Sequence, residues 1–353
     1  MQIKQDCRFF KGNIPCIYHK NKKVHCWDCK FYEPINIKIL IIKLGAAGDV
    51  IRTTPLLHKI RQVYSNAEIT WITHFPELIP SLVDSILNFE FKNILYLINN
   101  SFDIACNLDK DKEACALINM IHAKSKSGFK LENGKVAPIN KDAEHKWLTG
   151  LFDDVNKKNG KSYVQEIFEI FGVKFDGEKY IFNKPVKKEW NISRERPLIG
   201  LNTGCGDRWK TRIWPERCWV DLAKLLKKAN FNVILLGGQN EDRKNKIIAR
   251  KADVNYLGCF SLKDFISLLD QCDVIVTAVT MALHIAIALE KKIVLFNNVF
   301  NRNEFELYNL GEIIEPNIPC VGCYKPNCSI SCMEKIDPKK VFEVCKKLFK
   351  KNI

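Results

Sequence analysis

No run of about 18 or more apolar residues occurs in this 353-residue chain, so no transmembrane helix is expected. The opening Met1-Gln-Ile-Lys-Gln-Asp-Cys7 lacks the apolar core of a signal peptide, and the sequence predicts a chain that stays in the cytoplasm. Short repeats and low-complexity tracts are missing as well. So is a dense lysine/arginine block with interleaved aromatics, which leaves nucleic acid off the list of expected partners. Gly45-Ala-Ala-Gly48 has neither the GxGxxG spacing of a dinucleotide fingerprint nor the Gly-Lys-Ser/Thr end of a P-loop.

What is present describes a globular protein with room for two ordinary domains: 46% hydrophobic and 27% charged residues. The net charge of +15 comes largely from lysine. A solvated lysine-rich surface accounts for it. The alternative is attraction to an anionic partner such as phospholipid or a phosphorylated glycan.

Cysteine is abundant, at fifteen residues. Eight fall in two groups: Cys7, Cys16, Cys26 and Cys29, ending in CxxC, and Cys320, Cys323, Cys328 and Cys332, beginning with CxxC. In a reducing compartment such spacing favours a structural zinc or iron–sulfur centre over disulfides. Reduced, unliganded thiols are the alternative. His19 and His25 are spare ligands in the first group. The remaining cysteines, such as Cys106, Cys259 and Cys272, read as small core residues.

Residues 1–34 form the cysteine-rich segment. Strands are then predicted over Ile37–Lys43, Glu68–Thr73 and Phe102–Leu108, with helices over Thr54–Tyr64, Pro76–Val83 and Lys112–Ile121. Ser125–His145 reads as strands and loops, and Tyr163–Phe171 as an amphipathic helix. Lys184–Pro197 is a polar linker. A second alternation follows. Its strands are Leu198–Asn202, Asn232–Leu236, Asp273–Thr277 and Lys292–Phe296. Its helices are Glu216–Ala229, Glu241–Lys251, Leu262–Leu269 and Met281–Leu289. Pro338–Lys350 is a last basic helix. The expected division is 1–34, a first Rossmann-like domain over 35–190, a second over 191–336, and a returning helix over 337–353. Two doubly wound α/β domains of this kind place a ligand in the cleft between them.

Four segments sit where strands end. Asp49 opens a helix after the first strand, where ligands bind in open α/β sheets. It reads equally as a simple helix cap. Asn202–Pro215 offers Thr203, the backbone at Gly204 and Gly206, and the cations Arg208, Lys210 and Arg212, a set suited to a diphosphate. Glu241, just past Gly237-Gly238, is placed to accept from a sugar hydroxyl. The amides near Thr280, Met281 and Ala282 suit phosphate oxygens, and His284 lies one turn further on. After the strand ending at Phe296, the polar residues Asn297, Asn298, Asn301, Arg302 and Glu304 either line a pocket or build a surface loop.

Together these segments resemble glycosyltransferase family 9, which includes the lipopolysaccharide heptosyltransferases. Gly48-Asp49-Val50 with Thr53-Thr54-Pro55, Arg212-Ile-Trp-Pro215, Gly237-Gly-Gln-Asn-Glu241, His284-Ile-Ala-Ile-Ala-Leu289 and the second cysteine group follow the family's order. The resemblance implies a GT-B fold and inverting transfer from a nucleotide-diphosphate sugar, such as ADP-heptose, to an anionic glycan or glycolipid. Asp49 would be the general base, with Gly48, Arg52 and Thr53 on the acceptor side. Arg212 would neutralise the leaving diphosphate, helped by Lys210, Thr203, Gly204 and the amides at Thr280 and Met281. Glu241 would hold the ribose and His284 would support the phosphate loop. Catalysis would need no cofactor, and work at the inner face of the membrane would bring peripheral contact with its surface. Three departures alter the donor side: Val279 where the family has aspartate, Arg212 where it has lysine, and Asn297-Asn298 after the last core strand. Other readings are a transferase with a different donor or a protein acceptor, or a degenerate binding or scaffold module of the same fold.

Overall fold

The computed structural model describes residues 2–206 and 209–350. Arg208 therefore lies outside the described residues. The chain divides into two compact units. The first is 1–45, 56–144 and 168–173; the second is 46–55, 145–167 and 174–353.

The first unit is built on a six-stranded sheet in the order β3-β2-β1-β4-β5-β6. Its strands are β1 (Ile37–Ile42), β2 (Ala67–Thr73), β3 (Ser85–Asn88), β4 (Ser101–Asn107), β5 (His122–Glu132) and β6 (Lys135–Pro138). All neighbours pair in parallel except β6, which turns back along β5. Ile39 at the centre pairs with Ile69 on one side and Ile104 on the other. Ile39–Ile42 are wholly buried, as expected of a parallel strand covered on both faces. At its carboxyl end, buried Lys43 meets Asp109 at 3.2 Å, and Asp109 also accepts from the Leu44 and Gly45 amides. This pins the chain as it leaves β1.

Ahead of the sheet, residues 6–35 close on themselves. Cys7 bridges Pro34, and the Ile35 amide donates to Asp6. Arg8 joins this segment to the sheet. It pairs with Glu33 at 2.9 Å, donates to the Ala67 carbonyl and pairs with Asp84. Asp84 is also bound by Arg61 and by the Ile69 amide, each at 2.8 Å.

The second unit carries an all-parallel sheet in the order β11-β10-β9-β7-β8. Its strands are β7 (Leu198–Asn202), β8 (Asn232–Leu236), β9 (Val274–Ala278), β10 (Lys292–Phe296) and β11 (Gly311–Ile314). The hydrophobic core packs Trp214 and Trp219 edge to face at 4.9 Å and sets Phe296 4.8 Å from Trp214. The Trp214 indole donates to the Ile336 carbonyl, so the loop before helix Glu216–Lys228 is anchored at a buried aromatic. Val341, Cys345 and Leu348 of helix Pro338–Lys350 complete this core.

Candidate active site

The residues of interest lie in the second unit, at the carboxyl ends of β7, β8 and β9 and around the short helix Ala47–Ile51. Helix Met281–Ala288 joins the two groups. Thr280 caps it, and His284 stands about 6 Å further along its axis.

Around helix Ala47–Ile51, Asp49 pairs with Arg52 at 2.8 Å, one turn on. The Arg52 guanidinium lies 3.4 Å from the Tyr163 ring centre. Burial works against the Arg52 charge, but Asp49 and neighbouring phenols hold it above the ordinary arginine range. Thr53 Oγ1 donates to the Asp49 carbonyl at 2.7 Å, tightening the end of the helix. Gly48 faces His284 so closely that an added Cβ would lie 2.6 Å from Cδ2 of the ring. His284 is buried, with Nδ1 3.3 Å from the Tyr180 hydroxyl. Burial, and secondarily the Arg52 charge, push its pKa down to about 3, so the ring is neutral. Burial also raises the Tyr180 phenol, which stays protonated. The result is a carboxylate paired with arginine, beside a neutral imidazole and an un-ionised phenol.

The second group surrounds the loop after β7. Asn202 Nδ2 donates to Thr277 Oγ1 at 2.9 Å and to Thr280 Oγ1 at 3.3 Å, tying the ends of β7 and β9 together. Arg212 is buried and spans the same two loops, donating to the Cys205 carbonyl at 2.6 Å and to the Val279 carbonyl. Its fork organises the loops as well as supplying charge. Lys210, two residues earlier, is exposed. Thr203 Oγ1 is bound to Asn245 at 2.6 Å. Glu241 Oε2 accepts from the Gly238 amide at 2.9 Å, and a Cβ on Gly204 would lie 2.5 Å from its carboxyl carbon. That is why the backbone is bare at Gly204. Lys244 donates to the Thr203 carbonyl at 2.8 Å, and its burial lowers its pKa. Arg52, Arg212 and Lys244 thus bring positive charge to this edge of the unit, against the carboxylates of Asp49 and Glu241.

Sequence reasoning did not find Tyr163, Tyr180, Asn202 or Lys244 as parts of these groups. The asparagines after β10 build structure. Asn297 ties Phe300 to Glu315, Asn298 bonds the Thr211 carbonyl and Cys332 Sγ, and Asn301 bonds the Asn156 and Asn159 carbonyls. Glu304 accepts from the Tyr324 hydroxyl. Among the described residues, no three histidine, cysteine, aspartate or glutamate side chains are arranged to hold a metal ion.

Two Rossmann-like sheets, one all parallel and one parallel but for its edge strand β6, with cations and helix-start amides gathered where the strands of the second end, define a protein of the GT-B fold class. The sequence model described as glycosyltransferase family 9 (heptosyltransferase) matches residues 92–330, and the chain belongs to that family of glycosyltransferases. It is 29% identical over 126 residues to lipopolysaccharide heptosyltransferase 2 of Salmonella typhimurium, a match spanning 34% of this chain and 35% of that relative. The fold is shared with a family 9 glycosyl transferase from Veillonella parvula at TM-score 0.69 and 16% identity, over 90% of this chain and 99% of the other. The E. coli ADP-heptose lps heptosyltransferase II superposes with TM-score 0.66 at 18% identity, again over 90% and 99% of the two chains.

Proposed function

We propose that this glycosyltransferase moves a heptose or similar sugar from a nucleotide-diphosphate donor, ADP-linked as in its relatives' names, to a lipopolysaccharide-core or other cell-surface glycan, with inversion at the anomeric carbon. The observation that carries the reading is the Asp49–Arg52 pair at the start of helix Ala47–Ile51, set against His284. An acceptor hydroxyl attacks the anomeric carbon while the bond from that carbon to the diphosphate oxygen breaks. The hydroxyl proton passes to the Asp49 carboxylate, and the leaving electron pair stays on the nucleoside diphosphate. Arg52 holds the Asp49 carboxylate in place through their 2.8 Å ion pair.

On the donor side, Arg212, Lys210 and the amides at Thr280 and Met281 are assigned to the diphosphate, with Thr203 and Gly204 shaping that loop. Glu241 is assigned to the ribose. His284, neutral and wedged against Gly48, positions Asp49's helix relative to the phosphate loop. Gly48, Arg52 and Thr53 form the acceptor side. The bonds from Arg212 to Cys205 and Val279 show how the loop keeps its shape with valine at 279, and they favour an active enzyme over a degenerate scaffold.

Replacement Asp49→Asn tests the base. Turnover is expected to fall by about 10²–10⁴-fold, with ADP affinity measured by calorimetry near the wild-type value. Undiminished turnover would sink the assignment.

A further inference from the structure

The cysteine-rich segment supplies none of the residues assigned above to sugar transfer. Between residues 2 and 38 no side chain is fully buried, yet the segment closes on itself through Cys7–Pro34 and the Ile35–Asp6 bond. Its aromatics are ordered: Tyr18 stacks on Phe31 at 4.3 Å and meets Phe9 edge-on at 4.8 Å. A module below about 40 residues seldom holds such a shape without disulfides, a metal or a partner. All four of its cysteines are free thiols.

Those thiols share one void. Cys7, Cys16, Cys26 and Cys29, with His19 and His25, line a cavity of about 280 Å³. Phe9, Tyr18 and Phe31 line it too, which makes its wall largely apolar. Soft donors in a largely apolar wall suit a thiophilic metal and leave little for a polar organic ligand to bind. The histidines are otherwise engaged. His19 Nδ1 bonds the Val24 carbonyl at 3.0 Å, and the His25 ring stacks on Trp27 at 4.5 Å. Cys16 Sγ already accepts the His19 amide at 3.4 Å, the kind of N–H···S contact that stabilises a bound thiolate. The thiols ring the void rather than meet at a point. Binding therefore has to draw them inward.

The other cysteine group differs. Cys332 is buried in the core of the second unit, where Asn298 bonds its sulfur at 3.1 Å, while Cys320 and Cys328 are exposed.

We propose that Cys7, Cys16, Cys26 and Cys29 hold a structural metal centre through four thiolates, a zinc ion or an iron–sulfur cluster. Each thiol releases its proton to solvent on binding, and the centre supplies the cohesion that the segment's missing core does not.

The test is metal analysis of the full chain purified without oxygen. Zinc at about one per chain identifies the ion. Iron matched by acid-labile sulfide, with visible absorption, identifies the cluster. Either metal is expected to fall at least ~10-fold in Cys26→Ser/Cys29→Ser and in Cys7→Ser, and to persist in Cys320→Ser/Cys323→Ser. Chelation should make the exposed Lys11, Lys20 and Lys22 cleavable by trypsin while ADP binding persists. Metal-free wild-type protein with a trypsin-resistant segment would overturn the proposal. So would disulfides among these four cysteines by mass, or metal lost from the Cys320/Cys323 variant in place of the others.

Discussion

At Gly48 a Cβ would meet His284 Cδ2 at 2.6 Å, although the backbone there is ordinary helix. Gly to Ala inside a helix usually stabilises by about 1 kcal/mol. Here the ring must shift, so Gly48→Ala is expected to destabilise by about 1–3 kcal/mol in urea unfolding. In a background of His284→Ala the same substitution should cost little, and additive effects would refute the contact. His284 also sets a pH dependence. An unfolded histidine binds its proton near 6.5, whereas the buried ring does so only near 3. Between those values the unfolded state holds more protons, so stability should fall as pH drops below 6.5, with the loss complete near 3. The slope of unfolding free energy against pH should be shallower in His284→Gln, and an unchanged slope would remove His284 as the cause. The sequence singled out Asp49 and His284 because each stands in a short motif at a strand end, and the fold brings their helices together at Gly48. It did not single out Tyr163 and Tyr180, because no local pattern marks a residue packed against Arg52 or His284 from more than a hundred positions away.

The loops after β7 and β9 depend on one another through Arg212, whose fork reaches the Cys205 and Val279 carbonyls. Lysine keeps the charge but cannot span both acceptors in one plane. Arg212→Lys should therefore weaken ADP binding by roughly tenfold and lower stability by about 1–3 kcal/mol, read by calorimetry and unfolding. Equal affinity in the two proteins would mean that charge alone suffices. Element prediction follows the same logic of local signal. β7, β8 and β10 fall on the predicted bounds because each is a continuous apolar run, and helix Tyr163–Phe171 because its apolar stripe is regular. β3 and β11 were missed. β3 is an edge strand of four residues with none fully buried, and β11 is an equally short edge strand that opens on Gly311. Helix Phe91–Ile98 was missed because Phe91, Leu95 and Tyr96 are exposed, which blurs its periodicity. The stretch predicted helical over Pro76–Val83 shortens to a single tight turn, Pro76–Leu78, since the chain must reach β3.

For the molecule as a whole, a charge of +15 and the proposed glycan or glycolipid acceptor lead to one expectation. The full chain should sediment with anionic phosphatidylglycerol vesicles, and this binding should fall steeply as salt rises from about 0.05 to 0.5 M, because screening shortens the reach of surface charge. Among the described residues no helix is long and apolar enough to cross a membrane. Failure to sediment at low salt would leave the lysines as plain solvated surface.

The join at Arg8 is doubled on the side of the sheet. Asp84 is held twice over, by Arg8 from the cysteine-rich segment and by Arg61 with the Ile69 amide from the sheet and its helices. Deleting the segment would leave Asp84 still neutralised, and β1 would begin unchanged. Without the segment, the two contacts from Arg61 and the Ile69 amide would alone hold this corner of the sheet.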